Sequence, residues 1–287
     1  MTNSSIALRR GTAADVEACA TICHEAFSQV NARHGFPPEI AQRETALGLM
    51  RMLLSNESIF GVVAESGGKV VGSNFIFPGT IGGIGPITID PKVQEQGIGK
   101  MLMQRVIEHA DEIRMPGVRL VQSAFNGRSM SLYTKLGFDV REPLICMNGK
   151  PIGAEVPGHT VRKAEETDID RCVELCQRIH GHDRRGELPP AIAQKTALVV
   201  QRGGKITGYV TDLGFFGHAV AEQNSDLMAL ISAAPAIGGA GFLLPTRNGE
   251  LFRWCLARGL RYVEPLTLMS RGLYNEPRGA FLPSILF

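Results

Sequence analysis

The 287-residue sequence is short of the features that staple a chain, span a membrane or concentrate charge. Six cysteines are too few for a disulfide scaffold at this length, and no CxxC pair suggests zinc or redox chemistry. Charge of one sign is missing too. Thirty Lys+Arg against 28 Asp+Glu leave +2 with no basic block, unlike the concentrated positive field of a dedicated nucleic-acid binder. The opening residues MTNSSIALRRGTAADVE turn polar at once and hold no apolar stretch of signal-peptide length. One uncharged run, Leu227 to Leu244, is long enough to mislead, but Pro235, Gly238, Gly239 and Gly241 interrupt it. That pattern predicts a short helix followed by a buried strand rather than a span. The expectation is a cytoplasmic protein with no membrane and no nucleic-acid partner. What the chain does have is apolar material, 44% of residues against 20% charged, enough to pack cores and incompatible with global disorder.

The sequence also repeats itself. Ala14-Asp15-Val16 followed by Cys19 and Cys23 returns as Thr167-Asp168-Ile169 followed by Cys172 and Cys176. Pro37-Pro38-Glu39-Ile40-Ala41-Gln42 returns as Pro189-Pro190-Ala191-Ile192-Ala193-Gln194, and Gly67-Gly68-Lys69-Val70-Val71-Gly72 as Gly203-Gly204-Lys205-Ile206-Thr207-Gly208. Asn126-Gly127 and Glu142-Pro143-Leu144 return as Asn248-Gly249 and Glu264-Pro265-Leu266. The order holds while the offset shrinks from 153 through 152 and 136 to 122 residues, as deletions in the second copy would produce. The reading is two copies of one fold, residues 1–147 and 160–287, joined by a Pro/Gly-rich linker over 148–159.

Within the first copy, Ile6–Arg9 reads as a strand and Asp15–Phe27 as a capped helix. The runs 59–65 and 69–77 around Gly67-Gly68 read as a hairpin, and Gly85–Ile89 as one further strand. Ile98–Arg114 reads as an amphipathic helix, Val118–Ala124 as a strand and Ser129–Leu136 as a second short helix. The predicted class is mixed α/β, a largely antiparallel sheet flanked by helices with a βαβ crossover late in the copy.

The most informative stretch is Gln94-Glu95-Gln96-Gly97-Ile98-Gly99, between a strand and an amphipathic helix. The first amides of a helix have no intrahelical partner and its dipole favours an anion there, so a glycine-containing loop at that place suits a pyrophosphate. Gly97 and Gly99 lack a Cβ that would hold phosphate oxygens off, and Lys100 can add positive charge. An ordinary tight strand-to-helix connection reads equally well from these six residues alone. The chain holds no GxxxxGK[ST] loop, and Gly83-Ile84-Gly85 runs into Pro86-Ile87-Thr88 without a third glycine or an opening helix, so Walker and Rossmann motifs are excluded.

With a later Asn126, Tyr133 and Leu136-Gly137-Phe138 in the same order and spacing, residues 6 to 147 resemble the GNAT superfamily of acyl-CoA-dependent N-acyltransferases. Their phosphate-loop pattern Gln/Arg-x-x-Gly-x-Gly/Ala is met by Gln94, Gly97 and Gly99. The resemblance implies two tandem GNAT-like domains and acetyl-CoA as co-substrate, with no metal. The acceptor would be a primary amine on a small molecule or a peptide. It implies that the diphosphate rests on Gln96, Gly97, Ile98, Gly99 and Lys100, and that Ile87, Thr88 and Ile89 offer main-chain bonds to the pantetheine arm. Asn126 reads either as a ligand to that arm or as a turn former, the second supported by its return at Asn248. Tyr133 matches the tyrosine that protonates the leaving thiolate in family members.

In the second copy the loop is replaced by Val220-Ala-Glu-Gln-Asn-Ser-Asp-Leu227 without a glycine, and Cys255 stands in place of the tyrosine, so that copy reads as degenerate. The general base is the least legible group. Asp90, His24, Glu25 and His34 are candidates, each also explained as a turn, solvated or structural residue. The apolar tail Pro283–Phe287 resembles that of the N-myristoyltransferases, tandem GNAT folds whose terminal carboxylate is the base, and so offers the carboxylate of Phe287. The Cys19/Cys23 and Cys172/Cys176 pairs read as core packing, and His180-Gly-His182-Asp183 as a flexible loop rather than a metal site. The competing class is a non-catalytic acyl-CoA-binding sensor or interaction module. Oligomeric state is left open by the sequence.

Overall fold

The computed structural model of the chain describes residues 6–94 and 96–286. The first copy runs β1 (Ile6–Arg10), α1 (Val16–His34), α2 (Arg43–Ser55), β2 (Phe60–Ser66), β3 (Lys69–Phe77), β4 (Gly82–Ile84) and β5 (Thr88–Ile89). It continues through α3 (Ile98–Glu112), β6 (Gly117–Ser123), α4 (Gly127–Lys135) and β7 (Asp139–Asn148). The second runs β8 (His159–Lys163), α5 (Ile169–His180), α6 (Leu188–Ala193), β9 (Leu198–Arg202), β10 (Lys205–Val210) and β11 (Ala219–Ala221). It ends with α7 (Asn224–Ala233), β12 (Phe242–Pro245), α8 (Gly249–Ala257), β13 (Arg261–Gly272) and β14 (Ala280–Leu282). The elements fall into two compact units. The first is Met1–Leu120, Phe125–Asp139 and Ser270–Leu273; the second is Val121–Ala124, Val140–Met269 and Tyr274–Phe287.

In the first unit β1, β2 and β3 form an antiparallel meander, turned at Gly67-Gly68, where both glycines take positive φ. β3 pairs with β4 through Ile76↔Ile84 and with β5 through Gly72↔Ile89 and Ser73↔Thr88. β4 then pairs in parallel with β6 at Gly82↔Val118 and Gly83↔Arg119, while among the described residues β5 pairs with β3 alone. The helix α3 makes the crossover between these parallel strands. The single strand expected over Gly85–Ile89 is therefore two pieces. Pro86 has no N–H for a ladder and follows Gly85 at φ +140°, so the chain leaves the sheet at residues 85–87 and re-enters at Thr88. The core under this sheet joins Val16, Cys19, Ala20 and Cys23 of α1 to Ala46, Met50 and Leu53 of α2 and to Val63 and Phe75.

In the second unit a five-stranded sheet has the order β14-β11-β10-β9-β8, and β12 pairs antiparallel with β7 from Phe242↔Met147 to Pro245↔Leu144. Cys172 and Cys176 are buried in one core with Val199 and Tyr209; Leu227, Leu230, Leu244 and Cys255 lie in another. The uncharged run of the sequence is α7 and β12, a short helix and a buried strand. No helix among the described residues is long and apolar enough to cross a membrane.

The repeat is visible in side chains. Arg9 holds Asp15 with two hydrogen bonds of 2.8 and 2.7 Å, and Arg162 holds Asp168 with two of 2.7 Å. The pairing of β10 with β11, Gly208↔Ala221 and Tyr209↔Val220, reproduces that of β3 with β5. All six cysteines are free and buried, with the Cys19 thiol pushed up to about 11 and Cys23 and Cys172 to about 12 by burial. His180 and His182 are buried as well, with ring centroids 5.6 Å apart, and are not part of a flexible loop. The left-handed residue Gly181 ends α5 between them, at φ +75°.

Candidate active site

α3 begins at Gly97, whose φ of +79° only glycine adopts without strain. Among the described residues beyond its chain neighbours, no heavy atom lies within 4 Å of where its Cβ would stand, so that side of the turn is open to them. The first turn of α3 contains no acidic residue and Gly97 supplies no side-chain cap, which suits this helix start to an outside acceptor. Ile98, 1% exposed, anchors the turn in the core.

Gly99 serves a different purpose. A Cβ there would stand 3.0 Å from Ile89 Cδ1 and 3.6 Å from Leu132 Cδ2, so its missing side chain lets α3 close on β5 and α4. The loop and the strand Thr88–Ile89, neighbours in sequence, thus meet the helix carrying Tyr133, which begins at Gly127. Ile87 lies just outside β5. Thr88 is buried, its hydroxyl 3.3 Å from that of Ser73. Gln94 Nε2 donates to the Ile89 carbonyl at 3.5 Å, and Gln96 and Lys100 are exposed.

Asn126 caps α4, its Oδ1 accepting from the Ser129 amide at 3.3 Å, and Asn248 caps α8 by accepting from Leu251 at 3.2 Å. Tyr133 is buried, and burial pushes its phenol up to about 12 against the opposing effect of a Ser129 hydrogen bond. At neutral pH the phenol is protonated.

Between the start of α3 and one face of α4 lies an open cavity of about 620 Å³, lined by Lys100, Gly127, Arg128, Ser131, Leu132, Lys135 and Leu136. Its size is that of a small-molecule site, roughly 300–1,000 Å³. Sequence reasoning named Lys100 and missed Arg128 and Lys135. Their signal was the i, i+3/i+4, i+7 spacing of 128, 131/132 and 135, which puts them on one helical face.

The base candidates scatter. Asp90 turns its carboxylate back to the Lys92 amide at 2.9 Å. His24 Nδ1 is 3.1 Å from the Ile40 carbonyl, and Glu25 is exposed on α1. His34 lies against Phe125, centroids 5.1 Å apart, and Phe36 stacks on the same ring at 4.4 Å. Phe287 lies outside the described residues; the tail before it is docked in the second unit, where Ile285 donates to the Phe215 carbonyl at 2.8 Å. Among the described residues no group of three or more His, Cys, Asp or Glu is placed to hold a metal.

The corresponding place in the second copy is built differently. α7 starts at Asn224, directly after Glu222 and Gln223, whereas eight residues separate β5 from α3. Its third residue, Asp226, is fully buried at the helix start. The carboxylate accepts from the Gln223 amide at 3.2 Å, Thr207 Oγ1 at 2.7 Å and Arg202 Nε at 3.3 Å, with His159 Nε2 at 3.2 Å. Where the first copy leaves its helix start open, the second fills it with its own anion.

Comparison with known proteins agrees with this geometry. Residues 21–138 match the family described as Acetyltransferase (GNAT) family. No curated protein matches the sequence. Among solved structures, a candidate acetyltransferase from Pyrococcus horikoshii superposes with a TM-score of 0.71 at 17% identity, over 97% of this chain and 92% of that one. A GCN5-related N-acetyltransferase from Sphaerobacter thermophilus gives 0.64 at 15%, over 94% and 96%. A tandem GNAT protein from the clavulanic acid biosynthesis pathway gives 0.57 at 11%, over 93% and 98%. Residues 21–138 thus match a GNAT acetyltransferase family model, and over its full length the chain is similar in fold to these solved structures, a tandem GNAT protein among them.

Proposed function

We propose that the protein is an acetyl-CoA-dependent N-acetyltransferase acting on a primary amine of a small molecule or a peptide in the cytoplasm. In this reading residues 1–147 are the catalytic copy, 148–159 the linker and 160–287 a degenerate second copy. The observation that carries the reading is the open, acid-free start of α3 at Gly97 beside a cavity lined by Lys100, Arg128 and Lys135. That arrangement fits a phosphate-bearing cofactor and, with Asp226 already in place, is missing from the second copy.

Acetyl-CoA supplies the activated acetyl group. The amides of Ile98, Gly99 and Lys100, with Gln94 and Gln96 at the loop, hold its diphosphate by hydrogen bonds that the helix dipole reinforces. The main chain of Ile87, Thr88 and Ile89, on a strand whose one ladder goes to β3, orients the pantetheine arm, and Asn126 borders it. Tyr133 holds its proton at the phenol oxygen through burial and delivers it to the departing thiolate, whose ordinary pKa is about 8.5.

The test is release of free thiol from acetyl-CoA across a panel of primary amines, paired with calorimetric titration of coenzyme A into wild type and Gly97→Val. Amine-dependent thiol release, with binding lost in the variant, supports the reading. Tight coenzyme A binding without turnover on any amine replaces it by the sensor reading, and equal binding by the variant removes the site.

A further inference from the structure

β5 and β11 are the same strand in the two copies. Each pairs with the hairpin strand before it in a matching register, Gly72↔Ile89 and Ser73↔Thr88 in the first, Gly208↔Ala221 and Tyr209↔Val220 in the second. Their other edges differ. Among the described residues β5 pairs with β3 alone, whereas β11 carries β14 on its second edge. That pairing is antiparallel, with Ala219↔Leu282, Val220↔Phe281 and Ala221↔Ala280. An edge strand presents a row of unpaired N–H and C=O groups, and an extended chain laid along it satisfies them. In the first copy the proposed function lays the pantetheine arm on that edge. In the second a piece of the protein itself takes the place.

β14 fits there by side chain as well as by main chain. It packs on β12, and Ala280 and Leu282 share one core with Phe242 and Leu244 of that strand and with Leu227 and Leu230 of α7. Phe281, on the opposite side, sets its ring edge-on to that of His180 at 5.3 Å. The entry is tight: a Cβ on Gly279 would stand 2.7 Å from the Ala221 carbonyl oxygen and 3.0 Å from Ile179 Cδ1. On either side isolated hydrogen bonds hold the segment. Arg278 donates its amide to the Ile179 carbonyl at 2.8 Å, Ile285 its amide to the Phe215 carbonyl at 2.8 Å, and Arg184 Nη2 donates to Ser284 Oγ at 3.4 Å. Residues 274–277 ahead of it form neither helix nor strand, and Glu276 is exposed.

We propose that the cleft between β11 and β12 is a binding groove for an extended peptide strand, that β14 is its resident occupant, and that this segment keeps the second copy shut against outside ligands. Asp226 completes the closure by filling the start of α7 with the chain's own carboxylate. The groove recognises main-chain amides along β11 and small and large apolar side chains two residues apart, those of Ala280 and Leu282. Strand pairing carries the inference. The coenzyme A reading enters only in the likeness between the two occupants.

The experiment uses the full chain with a protease recognition sequence inserted after Glu276, so that the protein folds intact before the segment is cut loose. A fluorescein-labelled peptide of residues 276–286 is then followed by anisotropy and gel filtration. The expected result is that cut protein exchanges its own segment for the labelled peptide and that uncut protein takes up none. A peptide carrying Leu282→Asp should bind more weakly by about tenfold or more. The melting temperature of cut protein should fall once the segment is washed away and recover with added peptide. Cut protein that keeps its segment through gel filtration and takes up no label overturns the proposal, as does peptide binding to cut and uncut protein alike. Hydrogen exchange of the unmodified chain gives a second measurement. The amides of β14 should exchange together and ahead of those of β9 and β10, and exchange only by global unfolding overturns the proposal as well. Coenzyme A titration keeps the two readings apart: binding to cut and uncut protein leaves the coenzyme A reading standing whatever the peptide does, and its absence from both overturns that reading and not the groove.

Discussion

Gly99 packs so closely on Ile89 that a Cβ on the glycine would stand 3.0 Å from the isoleucine Cδ1, while two residues earlier Gly97 faces open space. The two glycines therefore respond differently to alanine. Gly97→Ala forces a left-handed backbone at a cost of about 1–2 kcal/mol and, on the proposed function, puts a methyl where the diphosphate would rest. Gly99→Ala meets only the end of a flexible side chain and regains helix propensity, about 1 kcal/mol, which offsets the contact. Thermal melts should show Gly97→Ala destabilised and Gly99→Ala near wild type. Titration should show coenzyme A weakened far more by the first, and the reverse order would mean that the open side of the turn is not where the ligand sits.

Tyr133→Phe removes a proton donor without removing a ring. The expected outcome is a fall in kcat for thiol release of about 10²–10⁴-fold with the affinity for acetyl-CoA unchanged. Because burial holds the phenol up at about 12, the pH–rate profile of wild type should have no alkaline limb from this residue below about pH 10. An unchanged kcat in Tyr133→Phe makes the tyrosine a packing residue beside Phe138, whose ring centroid is 6.2 Å away.

The elements that position this site were legible wherever a local cause fixes them. The β2–β3 hairpin follows from two glycines at φ +55° and +75°, and the repeat places Asp15 and Asp168 in equivalent positions, although their partners Arg9 and Arg162 were not read from it. α2 was unread although Ala46, Met50 and Leu53 recur at helical spacing, because no strong cap marks its start; Gln42 makes no side-chain cap. Distance along the chain hid the rest. The role of Gly99 depends on where Ile89 and Leu132 arrive, and the cationic face of α4 matters only because α3 starts beside it. The network Arg184–Glu187–His218–Tyr209 joins the 3-10 turn at Arg185–Glu187 to β10 and to the residue just before β11, and no spacing rule connects residues that far apart.

That network makes a pH-dependent stability. Arg184 donates to Glu187 at 2.7 and 2.9 Å, Glu187 meets His218 Nδ1 at 2.9 Å, and His218 Nε2 meets the Tyr209 hydroxyl at 2.9 Å. Burial first, and the Arg184 charge second, hold His218 below its ordinary 6.5, although Glu187 pulls the other way. Glu187 is also held low: Arg184 and His218 outweigh the burial that opposes its charge. Cys176 and Tyr209 are raised and stay protonated in this range. As pH drops below 6.5 the unfolded chain takes up the histidine proton before the folded one does, so stability falls. The slope is at most about 1.4 kcal/mol per pH unit from this residue. Urea unfolding between pH 7.5 and 5 should show that slope in wild type and a flatter one in His218→Gln. The same slope in both would assign the pH dependence to other groups.

Asp226 stands where the first copy leaves room for a ligand. Removing it leaves Arg202, Thr207 and the Gln223 amide without their shared acceptor, and breaking a buried pair in this way costs about 3–5 kcal/mol, less here because Arg202 is partly exposed. Asp226→Ala should lower the unfolding midpoint strongly, and Asp226→Asn, which keeps an acceptor, by much less. Coenzyme A should bind wild type with a stoichiometry of one per chain. A stoichiometry of two would show that the second helix start is not closed by its own carboxylate.

The two copies also provide an internal control for Asn126. Both Asn126 and Asn248 accept from the amide three residues on, so each is worth about 0.5–2 kcal/mol as a cap against alanine. Aspartate caps as well as asparagine does, so Asn126→Asp should melt within about 0.5 kcal/mol of wild type, whereas Asn248→Asp also loses the amide donor to Asn224 and should melt lower. They differ in what lies alongside. Asn126 precedes Gly127 of the cation-lined cavity, and a carboxylate placed there repels a phosphate-bearing ligand; Asn248 hydrogen-bonds Asn224 at 2.7 Å in the second copy. Coenzyme A affinity should therefore fall in Asn126→Asp and hold in Asn248→Asp. If both variants bind as wild type does, Asn126 is a cap and nothing more, and its return in the second copy is explained by the helix start alone.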